Sequence, residues 1–243
     1  MTRLLVTRPS RQAEPLARAL RDDGLETTCV PTVAIAAATD GSLDAALART
    51  ADFDWLVVTS ANGVAPLIGR IPASVRVAAV GPATAAALAS AGIRVDHVPN
   101  DYLSAAVAAG MGDLHGRRVL LARADAATPQ LHEALVGAGA LVSEAVAYRT
   151  IEGPPESREP LGRALQDRLD GIVFSSASAV RGLLALLDNR ERERAKRIPA
   201  LCIGPVTAAQ ARADGFMVDV VAGEHTGIGL SRAIAAHFAT EAA

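Results

Sequence analysis

Aromatic residues are nearly missing from this chain: Phe, Trp and Tyr together make up 3% of its 243 residues. Half of the residues are hydrophobic all the same, so any core must be built from Val, Leu, Ile and Ala. The length suits one large domain or two small ones. Lysine is just as scarce, with Lys196 standing alone, and no Gly-rich phosphate loop ends in Lys-Ser or Lys-Thr. Neither sign of charge is in excess: 24 basic against 26 acidic residues leave a net charge of −2. That balance argues against a general nucleic-acid binder, which would carry a basic surplus. The two cysteines, Cys29 and Cys202, each sit in a β-like apolar run, where buried free thiols in a reducing compartment are expected. No apolar run reaches membrane length, and the opening MTRLLVTRPSRQAE turns polar too early for a secretory signal. The expectation is a soluble cytoplasmic protein that binds neither membrane nor nucleic acid.

Signatures of harder chemistry are also lacking. His97, His115, His132, His225 and His237 show no metal-ligand spacing with Cys or carboxylates. The stretch GMGDLHG at 110–116 has some likeness to a dinucleotide loop, but its spacing is wrong and it precedes a strand where it should follow one. No Gly-x-Ser-x-Gly elbow occurs, and the strand ends lack the clustered Asp residues of a phospho-acceptor. No metal and no cofactor are expected.

What is present is a repeat. The segment LCIGPVTAAQARADGFMVDVV (201–221) nearly restates AAVGPATAAALASAGIRVDHV (78–98). The echo extends further. LLVTRPSRQAEPLARALRDDGLE is answered by LLARADAATPQLHEALVGAGALV, aligning Arg8 with Arg123 and Gly24 with Gly139, and DWLVVTSANGV is answered by DGIVFSSASAV. The order is A, B, A′, B′, with two strands in A and three in B. Brief, continuously apolar strand candidates alternate with Ala/Leu-rich helical patterns, the signature of parallel strands covered on both faces. They are Leu4–Thr7, Thr27–Val33, Trp55–Thr59, Val77–Val80, Val95–Val98, Val119–Ala122, Leu141–Tyr148, Gly171–Phe174, Ala200–Ile203 and Met217–Val221. Five parallel strands make one flavodoxin-like sheet, and the chain has material for two. Periodicity leaves the pairing open between tandem halves and an interleaved arrangement. In the latter the chain crosses twice, near Val33–Thr39 and near Thr150–Glu156. TIEGPPESREP at the second crossing is linker-like in its Gly and Pro content.

Ligands of open parallel sheets gather beyond the carboxyl ends of the strands. There the sequence places Thr59, Ser60 and Asn62, their echoes Ser175, Ser176 and Ser178, and the Gly-Pro-x-Thr turns with Thr84 and Thr207. Each site joins a hydroxyl to free N–H groups at a helix start, where the dipole favours an anion. Helix capping alone would explain any one of them, but four such turns paired by duplication point to an anionic ligand. Arg8 and Arg123 hold matching places after the first strand of A and A′, as carboxylate partners or as structural salt bridges. Tyr148, one of two tyrosines, ends a strand beside the second proposed crossing. The run NRERERAKR at 189–197 reads as a solvated helix face. This equipment has little acid or base in it and suits a substrate that supplies its own electronic push, with the protein contributing position.

The stretches VTRP, TSANGV, AVGPATAAAL, VPNDYLSAAVA, VLLARA, LVSEAVAYRT, IVFSSASAV and CIGPVTAAQARADG, in that order from about residue 3 to residue 238, resemble the uroporphyrinogen-III synthase family. The resemblance implies two flavodoxin-like domains, each a five-stranded parallel sheet with helices on both faces, joined by a two-stranded linker with the chain interleaved. It implies an outer domain of 1–34 plus 155–243, a middle domain of 40–149, and linkers near 35–39 and 150–154. It also implies a lyase that closes hydroxymethylbilane to uroporphyrinogen III in tetrapyrrole biosynthesis, with loss of water, inversion of the last pyrrole ring and no cofactor. Tyr148 then matches a cleft tyrosine that assists departure of the hydroxyl. Thr59, Ser60, Asn62, Thr84, Ser175, Ser176, Ser178 and Thr207 match substrate-binding turns, with Arg8 and Arg123 as carboxylate partners. A monomer in transient contact with hydroxymethylbilane synthase is expected. The competing reading is a two-domain small-anion binding or sensor protein without catalysis.

Overall fold

The computed structural model describes residues 2–99 and 104–241. Asn100 to Leu103, inside the VPNDYLSAAVA stretch, lie outside the described residues. In chain order the first elements are β1 (Arg3–Val6), α1 (Ser10–Asp22), β2 (Glu26–Cys29), β3 (Val33–Ala37), α2 (Ser42–Leu47), β4 (Trp55–Val58) and β5 (Arg76–Ala79). Next come α3 (Pro82–Ser90), α4 (Ser104–Gly110), β6 (Arg118–Ala124), α5 (Gln130–Gly137), β7 (Leu141–Glu152) and α6 (Arg158–Ala164). The chain finishes with β8 (Gly171–Phe174), α7 (Ala177–Ala185), α8 (Asn189–Ala195), β9 (Ala200–Cys202), α9 (Pro205–Ala213), β10 (Val218–Val221) and α10 (Gly227–Glu241).

These strands form two five-stranded sheets, ordered β10-β9-β8-β1-β2 and β3-β7-β6-β4-β5. Within the first sheet β1 pairs in parallel with β2 and β8, and β9 with β8 and β10. Within the second, β4 pairs in parallel with β5 and β6, and β6 with β7. The chain accordingly divides into two compact units, residues 1–34 with 151–243 and residues 35–150. Segment A thus shares a sheet with B′, and A′ with B.

Alternation along the strands explains why each sheet is covered on both faces. Leu5 enters one core cluster with Ile172 and Phe174, while its neighbours Leu4 and Val6 enter another with Leu16, Leu20 and Leu230. In the second sheet Leu56 and Val58 join Leu120 on one side, and Trp55 and Val57 join Val119 and Leu121 on the other. The repeat is visible down to single hydrogen bonds. Asp170 donates its backbone N–H to the Arg3 carbonyl at 2.9 Å and accepts the Arg3 N–H on its carboxylate at 2.8 Å. Asp54 and Arg118, their counterparts in the other unit, make the same two bonds at 2.9 Å and 2.8 Å. An Asp just before the first strand of B or B′ therefore pins the start of A′ or A.

Three expectations are corrected. The run expected as one strand over Thr27–Val33 is two: Pro31, which has no N–H to donate, separates β2 from β3, and β3 joins the other sheet beside β7. The strand expected over Val95–Val98 is only an isolated parallel bridge between His97 and Ala78, because the Asp96 carboxylate takes the Val77 N–H at 2.8 Å that a ladder carbonyl would otherwise accept. Finally, only Cys202 is buried; Cys29 is exposed, since β2 is an edge strand.

Candidate active site

The expected residues gather, within each unit, at the carboxyl ends of the parallel strands. In the unit of residues 35–150, β4 runs out at Thr59, whose N–H donates to the Ala122 carbonyl of β6 at 3.3 Å. Ser60 is extended and caps a 3-10 turn, Ala61–Gly63, its hydroxyl accepting the Asn62 N–H at 3.3 Å. Helix α3 packs on that turn. Its start follows from sequence: Gly81 is extended and Pro82 fills the first helical position, where no N–H is needed. Thr84, in the first turn, is buried at 5% exposure.

Tyr148 comes to the same edge from β7. Its ring lies on Gly63: a Cβ added there would meet Ala147 Cβ at 3.2 Å and Tyr148 Cδ1 at 3.6 Å. A side chain at Gly63 would thus press on Ala147 while its Cβ stayed in ordinary contact with the tyrosine ring. Arg123, at the end of β6, is already engaged. Its guanidinium pairs with Glu144 at 2.7 Å and donates to the Thr128 carbonyl at 2.9 Å, while His132 Nδ1 shares the Glu144 carboxylate at 2.7 Å.

In the other unit Ser176 caps α7 and accepts the Ala179 N–H, and its hydroxyl lies 2.9 Å from that of Ser178. Ser175, Ser176 and Ser178 are all partly exposed. Thr207 repeats the position of Thr84 in α9 and is buried at 4%. Arg8 behaves unlike its echo Arg123. Among the described residues its buried Nε has no hydrogen-bond partner, and burial draws its pKa below the usual guanidinium value. The head lies by Gly227 at the start of α10, where an added Cβ would be 3.3 Å from Nη1. A charged donor of this kind, left unpaired, favours a bound anion.

The duplication points to the turns and the arginines, but not to the floor under Tyr148 or to the groups that hold its strand. Gly63 and Asp125 carried no signal in sequence, because their roles exist only where β4, β6 and β7 meet. A cavity of about 480 Å³ lies at the opposite edge of the same sheet, lined by Asp54, Trp55, Arg76 and Arg117 among others. It contains none of the expected residues. Its charges answer one another, with Arg117 donating to Asp54 at 3.0 Å and Arg76 stacked 5.4 Å over the Trp55 ring. Among the described residues no group of three or more His, Cys, Asp or Glu could hold a metal ion, and no helix is long and apolar enough to cross a membrane.

Fold and site together define a doubly wound α/β protein of two flavodoxin-like units, each with hydroxyl- and amide-rich turns at the carboxyl edge of its sheet. Comparison with known proteins narrows the class. Residues 14–231 match the sequence model described as uroporphyrinogen-III synthase HemD, and the chain belongs to the uroporphyrinogen-III synthase family. It is 31% identical to the uroporphyrinogen-III synthase of Synechococcus elongatus, over 95% of this chain and 93% of that one. It is 25% identical to the enzyme of that name from Chlorobaculum parvum, over 97% and 98% of the two chains. Among solved structures the fold is similar to a mutant uroporphyrinogen III synthase from Thermus thermophilus, with a TM-score of 0.66 at 22% identity over 99% of this chain and all of that one. The uroporphyrinogen-III synthetase of Helicobacter pylori gives a TM-score of 0.64 at 17% identity, over 98% of this chain and all of that one.

Proposed function

We propose that this protein is a cyclising lyase that converts hydroxymethylbilane to uroporphyrinogen III with inversion of the last pyrrole ring, as a cytoplasmic monomer supplied through transient contact with hydroxymethylbilane synthase. The observation that carries this reading is the Tyr148 ring seated on Gly63, in the Ala61–Gly63 turn that Ser60 caps, in a chain of this family. In the first step the C–O bond of the terminal hydroxymethyl group breaks, driven by the pyrrole nitrogen. The oxygen leaves as water after taking a proton from Tyr148, and loss of the pyrrole N–H proton leaves an azafulvene. The last ring then attacks the exocyclic methylene through its substituted α-carbon. The resulting spiro centre breaks its older methylene bond to give a second azafulvene, which recloses at the free α-carbon. Loss of the proton there restores the pyrrole, and one water is lost overall.

The nitrogen expels the leaving group, so the protein needs only a modest donor, and its larger task is orientation. The turns at Thr59, Ser60, Asn62, Ser175, Ser176 and Ser178 offer hydroxyls and helix-start amides to the substrate carboxylates. Thr84 and Thr207, being buried, shape the helix starts that present those amides. Arg8 offers an unsatisfied charged donor, whereas Arg123 serves chiefly to hold Glu144. The test is a coupled assay with hydroxymethylbilane synthase. The III isomer is expected to dominate when this protein is present, and persistence of isomer I would overturn the reading.

A further inference from the structure

The side chains of a regular strand alternate between the two faces of its sheet. Near its carboxyl end, β7 breaks that rule. Ala145 and Ala147 are buried in the cluster that holds Leu56, Val58 and Val64, yet Tyr148, the very next residue, packs against the same cluster. The cause is in the pairing. Arg123 of β6 lies opposite Val146, but Ala124 lies opposite Tyr148, so Ala147 is an extra residue in a bulge. A bulge of this kind re-aims the side chain that follows it. Without it Ala124 would face Ala147, and Tyr148 would fall one place further along.

Beyond the bulge the longer β7 runs past the end of β6, and one residue takes up the unpaired backbone. Asp125 donates its N–H to the Tyr148 carbonyl at 3.2 Å. Its Oδ1 accepts the Thr150 N–H at 3.2 Å and the Ala126 N–H at 3.0 Å, and Oδ2 lies 3.7 Å from Arg149 Nε. A carboxylate therefore stands in for the ladder carbonyl that β6 no longer supplies. It grips the strand at Thr150 while its own backbone holds Tyr148. Gly63 lies against the ring itself.

We propose that Asp125 is a positioning residue: with the bulge at Ala147 it fixes the direction in which Tyr148 presents its phenol, and so acts on the reaction through Tyr148. This rests on the reading of Tyr148 as the proton donor. Asp125 touches no reacting atom in this scheme, and its whole contribution is geometric. Misplacing a reacting group by about 1 Å is enough to cost on the order of a hundredfold in rate. The effect here is set lower by the modest help the leaving group needs.

The experiment is a double-mutant cycle on the full chain in the coupled assay, with thermal melts of each variant. Tyr148→Phe is expected to lower kcat about tenfold, below the usual range for general acids because the substrate supplies the push. Asp125→Ala is expected to lower kcat by a similar factor of about ten while KM stays within about twofold. Asp125→Asn, which keeps an acceptor for the Thr150 N–H, is expected to restore kcat to within about twofold of the parent. In the Tyr148→Phe background, Asp125→Ala is expected to add less than about twofold. The proposal is overturned if the two losses multiply, if Asp125→Asn is as impaired as Asp125→Ala, or if KM rises with kcat unchanged. Wild-type turnover in Tyr148→Phe sinks the underlying donor reading, and the proposal with it; multiplying losses sink the proposal alone. If Asp125→Ala does not fold, Asp125→Glu, which displaces the carboxylate by one methylene, takes its place in the cycle with the same expected non-additivity.

Discussion

Arg8 and Arg123 occupy equivalent places in the repeat and have come to different ends. Arg123 sits in a partly buried pair with Glu144 at 2.7 Å, a contact of about 1 kcal/mol. Arg8 keeps a buried Nε without a partner among the described residues. Arg8→Ala is therefore expected to raise KM for the bilane several-fold with little change in melting temperature, and Arg123→Ala to lower stability while KM changes little. Steady-state kinetics and urea denaturation of the two variants check this, and equal KM effects would refute the division of labour. The two thiols diverge as well. Cys202 is buried, and desolvation pushes its pKa up to about 11. Cys29 is exposed, with a pKa raised by partial burial. A maleimide is expected to label one thiol in the native protein, at Cys29, and the second only after unfolding; peptide mapping of the labelled chain identifies the site.

At the scale of elements, α7 does two things at once. Its first turn carries the Ser176 and Ser178 hydroxyls. One turn further on, Gly182 lies against the chain just inside both passages between the units. A Cβ there would lie 2.0 Å from the Thr32 carbonyl oxygen and 3.0 Å from the Gly153 nitrogen. Thr32 and Gly153 are themselves joined, N–H to carbonyl, at 2.9 Å, and the Thr32 hydroxyl donates to the Ala179 carbonyl at 2.8 Å. Because the obstructing atoms are backbone, they cannot step aside. Gly182→Ala is expected to cost about 1–3 kcal/mol, read as a lower urea midpoint with the m-value unchanged.

The Asp residues that pin strand starts make a second prediction at this scale. Hydrogen bonds from the Arg118 backbone, then Arg117, hold the Asp54 carboxyl below the usual carboxylate pKa. A folded-state value below the unfolded one adds stability that is fully present above about pH 4, the unfolded carboxylate value. That stability is lost as pH falls through the folded value. Asp54→Asn should accordingly be less stable than the parent near neutral pH. The gap in melting temperature should close as the pH falls below about 4. A gap constant down to strongly acid pH would rule out this origin.

At the scale of the whole molecule, the route of the chain makes the two units unequal. Residues 35–150 form one unit from a single stretch, whereas the other needs both 1–34 and 151–243. Its sheet takes β1 and β2 from the first piece and β8 to β10 from the second, so neither piece alone can bury β1 or β8 on both sides. The expressed segment 35–150 is expected to fold with a cooperative melt, while 151–243 alone shows none; circular dichroism of the two decides it. A folded 151–243 would mean that β8 does not need β1 beside it to complete that sheet.

Most of the fold was legible because it was written twice. The matched Gly-Pro turns and short apolar strands named the elements, and the echo from Arg8 to Arg123 set their order. The exceptions are local. Pro31 split a run that hydropathy joined, and the Asp96 carboxylate displaced a ladder that β-propensity favoured at Val95–Val98. The hydroxyl turns could be read from their place between strand and helix. The inequality of the two arginines could not, because Glu144 reaches Arg123 only across the β6–β7 pair. By itself the sequence determined the α/β class and the edge of each sheet where hydroxyls and amides collect, since these follow from short-range pattern and repetition, while the family came from its resemblance to known chains. Only the tertiary structure decided which charges are spent, where β7 slips by one residue, and that Gly63 and Asp125 frame Tyr148. Those depend on distances between segments far apart in the chain, which no local pattern encodes.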